Sequence, residues 1–333
     1  MDFKAFQVRQ VEKKVFERSV VTRCADELPA GDLLVKVHYS SLNYKDALSA
    51  TGNPGVTRHF PHTPGIDAAG EVVSSDTARF QPGDKVIVTS YDLGMGTDGG
   101  FGQLIRVPAD WAVPLPDGLS LKESMMLGTA GLTAAMSVQE LMESGVRPEQ
   151  GPVLVTGATG GVGSLAVAML ARAGFEVTAA TGKSSETDYL KGLGAQKVIA
   201  RSDVLEGSDR PMMKPVWAGA VDCVGGEMLA AAIKAAKYGG AVTCCGLVGS
   251  ADLPMNVFPF ILRGVRLIGI DSAEYPMEQR SRVWKKLSKD WKPAALSEMV
   301  EEIALEQLDE KITGMLDARL KRRVLVNLQS GSL

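Results

Sequence analysis

The sequence predicts an α/β protein in which an open, doubly wound parallel sheet follows a β-rich N-terminal third. Three observations carry this expectation. Before residue 120 the chain runs in short Val- and Ile-rich stretches cut by Gly, Pro and Asp turns, with no regular strand–helix alternation. From residue 152 apolar stretches alternate with helical ones, the pattern of a mostly parallel sheet. The first of those stretches, PVLVTG, runs straight into a glycine-rich turn and an Ala-rich helix.

The elements follow in order. DLLVKVHYSSL, AAGEVVS, DKVIVTSYD and GQLIRVP read as strands, with QPGD as a turn before the third. LSLKESMMLGTAGLTAAMSVQELMESG reads as a helix from near Ser120 to Gly145, and Gly128 and Gly131 mark a break or a close approach inside it. Six strands then follow: PVLVTG, FEVTAATG, KVIA, AGAVDCV, GGAVTCCGLVG and VRLIGIDS. GGVGSLAVAMLARAG and SETDYLKGLG are the first two crossover helices. The segment from about 280 reads as two helices and a strand, RRVLVNL, that returns to the first domain and makes it discontinuous. The expected division is 1–122 completed by 275–333, and 123–274.

Composition removes several function classes. The chain has 333 residues, 45% of them hydrophobic, and a net charge of −3, so neither a nucleic-acid surface nor a polybasic membrane patch is expected. Cysteines stand at 24, 223, 244 and 245 with no C-x-x-C pair, which argues against a disulfide framework or thiolate zinc cluster. A reduced, cytoplasmic setting is expected. No stretch approaches a membrane span, and MDFKAFQVRQVEKK has no apolar signal core.

The glycine-rich turn predicts a dinucleotide site. Glycines let the backbone approach a pyrophosphate, and the following helix offers free N–H groups and a positive dipole end. Thr159, Gly160, Gly161 and Val162 occupy that turn. The cofactor is selected at the end of the second strand, where an NAD enzyme usually places Asp or Glu for the ribose 2′-OH. Here Thr181, Gly182 and Lys183 stand instead, and Arg201 follows the third strand. Hydroxyl, backbone N–H and cation suit a 2′-phosphate, so NADPH is expected over NADH. The plain alternative for Lys183 and Arg201 is a solvated loop cation.

HFPHTPGIDAAGEV holds two of the three histidines near Asp67 and raises the question of a metal. The answer comes from resemblance. NYKDALSATG, FPHTPGIDAAGEV, GTAGLTA, VTGATGGVGS, VWAGAVDCVGG and NVFPFILRGVRLIGIDS look like the medium-chain dehydrogenase/reductase superfamily. Within it they resemble the bacterial NADPH-dependent acrylyl-CoA reductases of the zinc-free, quinone-oxidoreductase-like branch. PGIDAAGEV matches the superfamily's PG-x-(D/E)-x-AG-x-V signature. Zinc-dependent members have GHE where this chain has Gly65-Ile66-Asp67, and a cysteine in the segment that here is SSLNYKDALSATG. No zinc is expected.

The resemblance implies a GroES-like catalytic domain, a Rossmann NADPH domain and a homodimer paired through VRLIGIDS. It implies reduction of acryloyl-CoA to propanoyl-CoA. An NADPH:quinone oxidoreductase is the alternative, and a catalytically silent NADPH-binding protein is the alternative of another class. Tyr44, Asn43 and Asp46 are the implied catalytic group, with Tyr44 also beside the nicotinamide. Thr129, Leu247, Ile261, Ser272 and Arg323 are implied cofactor contacts. The family's terminal GR-x-LV pattern is changed here to Arg322-Arg323-Val324-Leu325-Val326, which puts the backbone contact in doubt. For coenzyme A phosphates Arg58, His59 and Arg263 stay open.

Overall fold

The computed structural model describes residues 1–329. Its first strands are β1 (Asp2–Glu12) and β2 (Val15–Cys24), an antiparallel hairpin. The sequence reading passes over this hairpin because its turn is Lys13-Lys14 rather than a glycine dipeptide; Lys14 takes φ 65°. Then come β3 (Leu33–Leu42), α1 (Tyr44–Ala50), β4 (Asp67–Ser75), β5 (Lys85–Thr89), β6 (Leu104–Val107) and β7 (Ala112–Pro114). Helix α2 spans Leu121–Glu143 and is interrupted at Gly128, where φ is 54° and ψ −158°.

The alternating segment holds β8 (Val153–Val155), α3 (Gly161–Arg172), β9 (Val177–Thr181), α4 (Thr187–Gly192), β10 (Lys197–Ala200), α5 (Arg201–Leu205), β11 (Trp217–Asp222), α6 (Gly226–Lys234), β12 (Ala236–Cys244), α7 (Phe258–Arg263) and β13 (Arg266–Gly269). The tail contributes α8 (Met277–Leu287), β14 (Val300–Ala304), α9 (Leu308–Leu316) and β15 (Arg323–Asn327).

These elements form two compact units: Met1–Thr129, Ala273–Ser288 and the segment from Leu296; and Ala130–Ser272 with Lys289–Ala295. The unit boundary falls inside α2, just after the Gly128 break, whereas the sequence division at 122 lies at the start of that helix. In the first unit a sheet runs β14-β15-β3-β4-β5-β7, with β6 also paired to β3. β15 lies antiparallel to β3, with Val324 opposite Leu42. Val35, Val37, Val86, Val88, Ile105, Val324 and Val326 fill its core. At about 1.5–3 kcal/mol for each fully buried branched side chain, this core holds the strand ends that carry polar residues.

In the second unit six parallel strands run β10-β9-β8-β11-β12-β13. That is the doubly wound order, in which the strand order reverses beside the first strand, β8. β8 reads VLV and is buried throughout, as a central parallel strand should be. Ala220, Leu229, Ala231, Ala232, Ile233 and Val242 pack the layer behind β11 and β12. Among the described residues no helix is long and apolar enough to cross a membrane.

Candidate active site

In the first unit one carboxylate gathers residues far apart in sequence. Asp67 begins β4 and has no exposed surface. Its Oδ2 accepts hydrogen bonds from Ser41 Oγ at 2.5 Å and Asn43 Nδ2 at 2.8 Å. Its Oδ1 accepts from Thr129 Oγ1 at 2.6 Å, and the Thr129 backbone N–H lies 3.1 and 3.0 Å from the two oxygens. Such charge-assisted bonds are about twice as strong as neutral ones. Arg323 Nη2 donates to Ser41 Oγ at 3.1 Å, so a cation reaches the carboxylate through one hydroxyl.

The direction of the hydroxyl chain follows from proton counting. Thr129 has one hydroxyl proton and gives it to Asp67. Ser90 Oγ, 3.0 Å from Thr129 Oγ1, is therefore the donor in that pair. Ser90 and Tyr91 both take positive φ, 64° and 51°. Two successive non-glycine residues there cost on the order of 1–3 kcal/mol each. The surroundings hold them: Ser90 N–H donates to Ile66 O, Tyr91 N–H to Ala273 O, and Tyr91 stacks on Trp111 at 5.7 Å. The buried Arg280 guanidinium lies 4.3 Å from the centre of the Tyr91 ring and donates to Thr89 O at 2.8 Å.

The helix break is part of the same arrangement. A Cβ on Gly128 would stand 2.5 Å from both Asp67 Oδ2 and Ser41 Oγ, and 3.0 Å from Arg323 Nη2. Glycine supplies both the positive φ and the space for the carboxylate cluster.

Asn43 and Asp46 belong to this neighbourhood in different ways. Asn43 Nδ2 is committed to Ser41 O and Asp67 Oδ2. Asp46 is fully buried, and its oxygens accept from Asn43 N–H at 2.7 Å and Ile66 N–H at 2.8 Å. It joins the start of α1 to the segment before β4. Burial pushes its carboxyl up to about 7; the backbone N–H of Asn43 opposes the shift and the nearby Asp67 charge adds to it. Tyr44, the first residue of α1, is 46% exposed. The resemblance implies that Arg323 is a cofactor contact; in the fold its side chain is buried and donates inside the unit, to Met126 O at 2.9 Å and to Ser41. Its described partners make it a support for the Asp67 cluster.

The second unit offers a cradle built from backbone. Gly157 has φ 59°, and Gly160 is the N-cap of α3. A Cβ on Gly163 would meet Gly157 O at 2.3 Å, so only glycine lets the helix start this close to the turn. Thr159, Gly160, Gly161 and Val162 form this turn and first helical residues. Across it Thr159 Oγ1 lies 3.3 Å from Thr181 Oγ1, and Lys183 N–H donates to Thr181 Oγ1 at 3.0 Å. A Cβ on Gly182 would lie 3.0 Å from Arg201 Nε, which puts the exposed Arg201 guanidinium beside the end of β9. Thr181, Gly182, Lys183 and Arg201 are thus brought together. Leu247 and Ile261 are 68% and 71% exposed and lie after β12 and in α7; Ser272 Oγ accepts from Thr133 Oγ1 at 2.8 Å.

The residues at the histidine-rich stretch do not fit a catalytic zinc. Ile66 offers no donor atom, Asp67 is saturated by hydroxyl and N–H donors, and His62 Nε2 is bonded to Gly94 O at 2.9 Å. Among the described residues no group of three His, Cys, Asp or Glu is placed to hold a metal ion.

Residues 29–117 match the alcohol dehydrogenase GroES-like domain, and residues 161–289 match the zinc-binding dehydrogenase family. YhfP of Bacillus subtilis (strain 168), named provisionally as a quinone oxidoreductase, is 49% identical over 326 residues, covering 97% of this chain and 99% of its own. The chain belongs to the medium-chain dehydrogenase/reductase superfamily. Within that superfamily of oxidoreductases, the acrylyl-CoA reductase AcuI of Ruegeria pomeroyi is 45% identical over 304 residues, 91% of this chain and 92% of its own. The crystal structure of the yhdH oxidoreductase from Salmonella enterica in complex with NADP matches with TM-score 0.94 and 42% identity over 98% of this chain and 99% of that one. The structure of B. subtilis yhfP with NAD bound gives TM-score 0.96 and 47% identity over the same shares, 98% and 99%. The first unit carries the GroES-like domain of this superfamily and the second its Rossmann sheet.

The sequence marks Asp67 as a hydrogen-bonding anchor of its turn but does not show Ser41 as its partner or Ser90 beyond Thr129. Ser41 lies two residues before Asn43, and Asp67 lies within PGIDAAGEV, so a polar residue inside each motif was the available signal. Ser90 had none, because only the fold turns VTSYD onto Thr129.

Proposed function

We propose that the protein reduces the carbon–carbon double bond of acryloyl-CoA to propanoyl-CoA with NADPH and without a metal. The observation that carries the reading is the Asp67 cluster. A polar, pre-organised set of side chains occupies the superfamily's metal segment, where the donor atoms of a zinc site are missing. The 45% identity to AcuI supports the substrate.

The dinucleotide supplies the hydride when bound. The Gly157–Gly163 turn and the N-terminus of α3 would hold its pyrophosphate, and Lys183 and Arg201 would hold a 2′-phosphate. Thr129 and Tyr44 would position the nicotinamide end and the substrate. Tyr44 is the exposed donor of the group, and its phenol would stabilise charge that develops on the thioester oxygen. Asn43, Ser41, Asp67 and Arg323 hold the start of α1, which carries Tyr44, and fix the Thr129 hydroxyl. Asp46 acts by clamping α1 to Ile66.

A quinone reductase is the second reading, and the name and 49% identity of YhfP favour it. One assay separates the readings: NADPH absorbance followed with acryloyl-CoA, with a benzoquinone and with neither. Rapid oxidation with acryloyl-CoA is expected. Turnover with the quinone alone would replace the leading reading, and tight NADPH binding with no turnover would favour a silent binding protein. A homodimer is proposed through β13, the sheet edge, beside the exposed Leu247, Val257, Phe258, Ile261 and Leu262.

A further inference from the structure

Three of the four cysteines converge in the second unit. β11 and β12 are parallel and pair Asp222 with Cys244. The next residues, Cys223 and Cys245, therefore come side by side where both strands end. Their sulfurs are 3.8 Å apart, and Cys245 Sγ also donates to Asp222 O at 3.4 Å. Both residues are half-buried. Gly246 allows the close approach: a Cβ there would stand 2.2 Å from Cys223 O. The spacing along the chain hides the pair, since it forms no C-x-x-C motif.

We infer that Cys223 and Cys245 form a dithiol modification site at which a hydroperoxide closes an intrachain disulfide. A disulfide needs Cα atoms about 4.4–6.8 Å apart, and neighbouring strands stand about 4.8 Å apart. Continued by one residue, the β11–β12 register would put the two Cα atoms inside that range, and side-chain rotation would bring the sulfurs from contact to bond. The Cys245 thiolate attacks hydrogen peroxide; an S–O bond forms, the O–O bond breaks, and the released hydroxide takes a proton to become water. The Cys223 sulfur then attacks the resulting sulfenic acid and gives up its proton. The S–S bond forms, the S–O bond breaks and a second water leaves. Two thiols lose two electrons in all, and one peroxide becomes two waters. Cys245 is the first attacker because its own presence and burial push the Cys223 thiol up.

The inference needs no substrate or dinucleotide and stands apart from the reductase reading. The reduced full-length protein is treated with hydrogen peroxide, quenched with an alkylating reagent and mapped without reduction. Two of the four thiols are expected to disappear together. A Cys223–Cys245 linked peptide should appear, the intact chain should become lighter by two hydrogens, and dithiothreitol should reverse both changes. Cys24→Ser should leave the linkage intact. A link through Cys244 or Cys24, a disulfide between two chains, or four thiols that stay alkylatable would overturn the inference. Cys245→Ser should abolish the linkage; if that variant does not fold, the wild-type peptide map decides by itself.

Discussion

The two units build their candidate sites from opposite materials. In the first, the candidate site rests on side chains: Asp67 binds Ser41, Asn43 and Thr129, with Arg323 behind them and Ser90 beyond. In the second it rests on backbone, with glycines clearing space and cations at the end of β9. Buried side-chain networks fail as a whole when one member is lost. A backbone cradle with exposed charges loses affinity one contact at a time.

The sharpest way to break that contrast is Asp67→Ala. Ser41, Asn43 and Thr129 would lose their common acceptor, so a destabilisation on the order of 3–5 kcal/mol is expected, with kcat reduced about 10²-fold or more. Thermal melting and steady-state rates check both; an unchanged Tm with unchanged kcat would show the cluster to be dispensable. Asp46 sharpens the same side through pH. Its carboxyl sits near 7 in the fold against 3.8 as the ordinary value, so the folded chain keeps a proton that the unfolded chain has released. The stability contribution is complete below about pH 4 and is lost as pH rises through about 7, by up to a few kcal/mol. Denaturant midpoints should fall across that window in wild type, and this component should vanish in Asp46→Asn.

On the cradle side the expected effects are smaller and separable. Lys183→Ala should raise the NADPH dissociation constant about tenfold, leave NADH binding unchanged and leave Tm within about 1 °C. Equal weakening of both dinucleotides would remove Lys183 from 2′-phosphate recognition. Tyr44→Phe removes one exposed hydroxyl and should lower kcat about tenfold with no change in Tm. Kinetics identical to wild type would take the phenol out of the reaction.

The same contrast explains what could be read from the chain. The glycine turn and the six parallel strands are local patterns, and each was legible because strand, turn and helix are adjacent in sequence. The Asp67 cluster draws on positions 41, 43, 67, 90, 129 and 323, and no window of sequence contains it. The family motif pointed to Asn43 and Thr129 individually; only the sheet register and the Gly128 break show that they share one carboxylate. The hairpin of β1 and β2 and strand β14 were hidden for a different reason. The hairpin turns at Lys13-Lys14 with no glycine dipeptide, and β14 exposes the adjacent Glu301 and Glu302, so neither announces a strand.

β15 lies between β14 and β3, and its Arg323 reaches Ser41. During translation, residues 39–42 of β3 therefore leave the ribosome long before β15, the strand that pairs with them. The parallel sheet of the second unit is complete once β13 has emerged, whereas the first unit must wait with an open sheet edge for residues 323–327. The region synthesised first is the one finished last, so its exposed β3 edge is what a nascent-chain chaperone would have to shield.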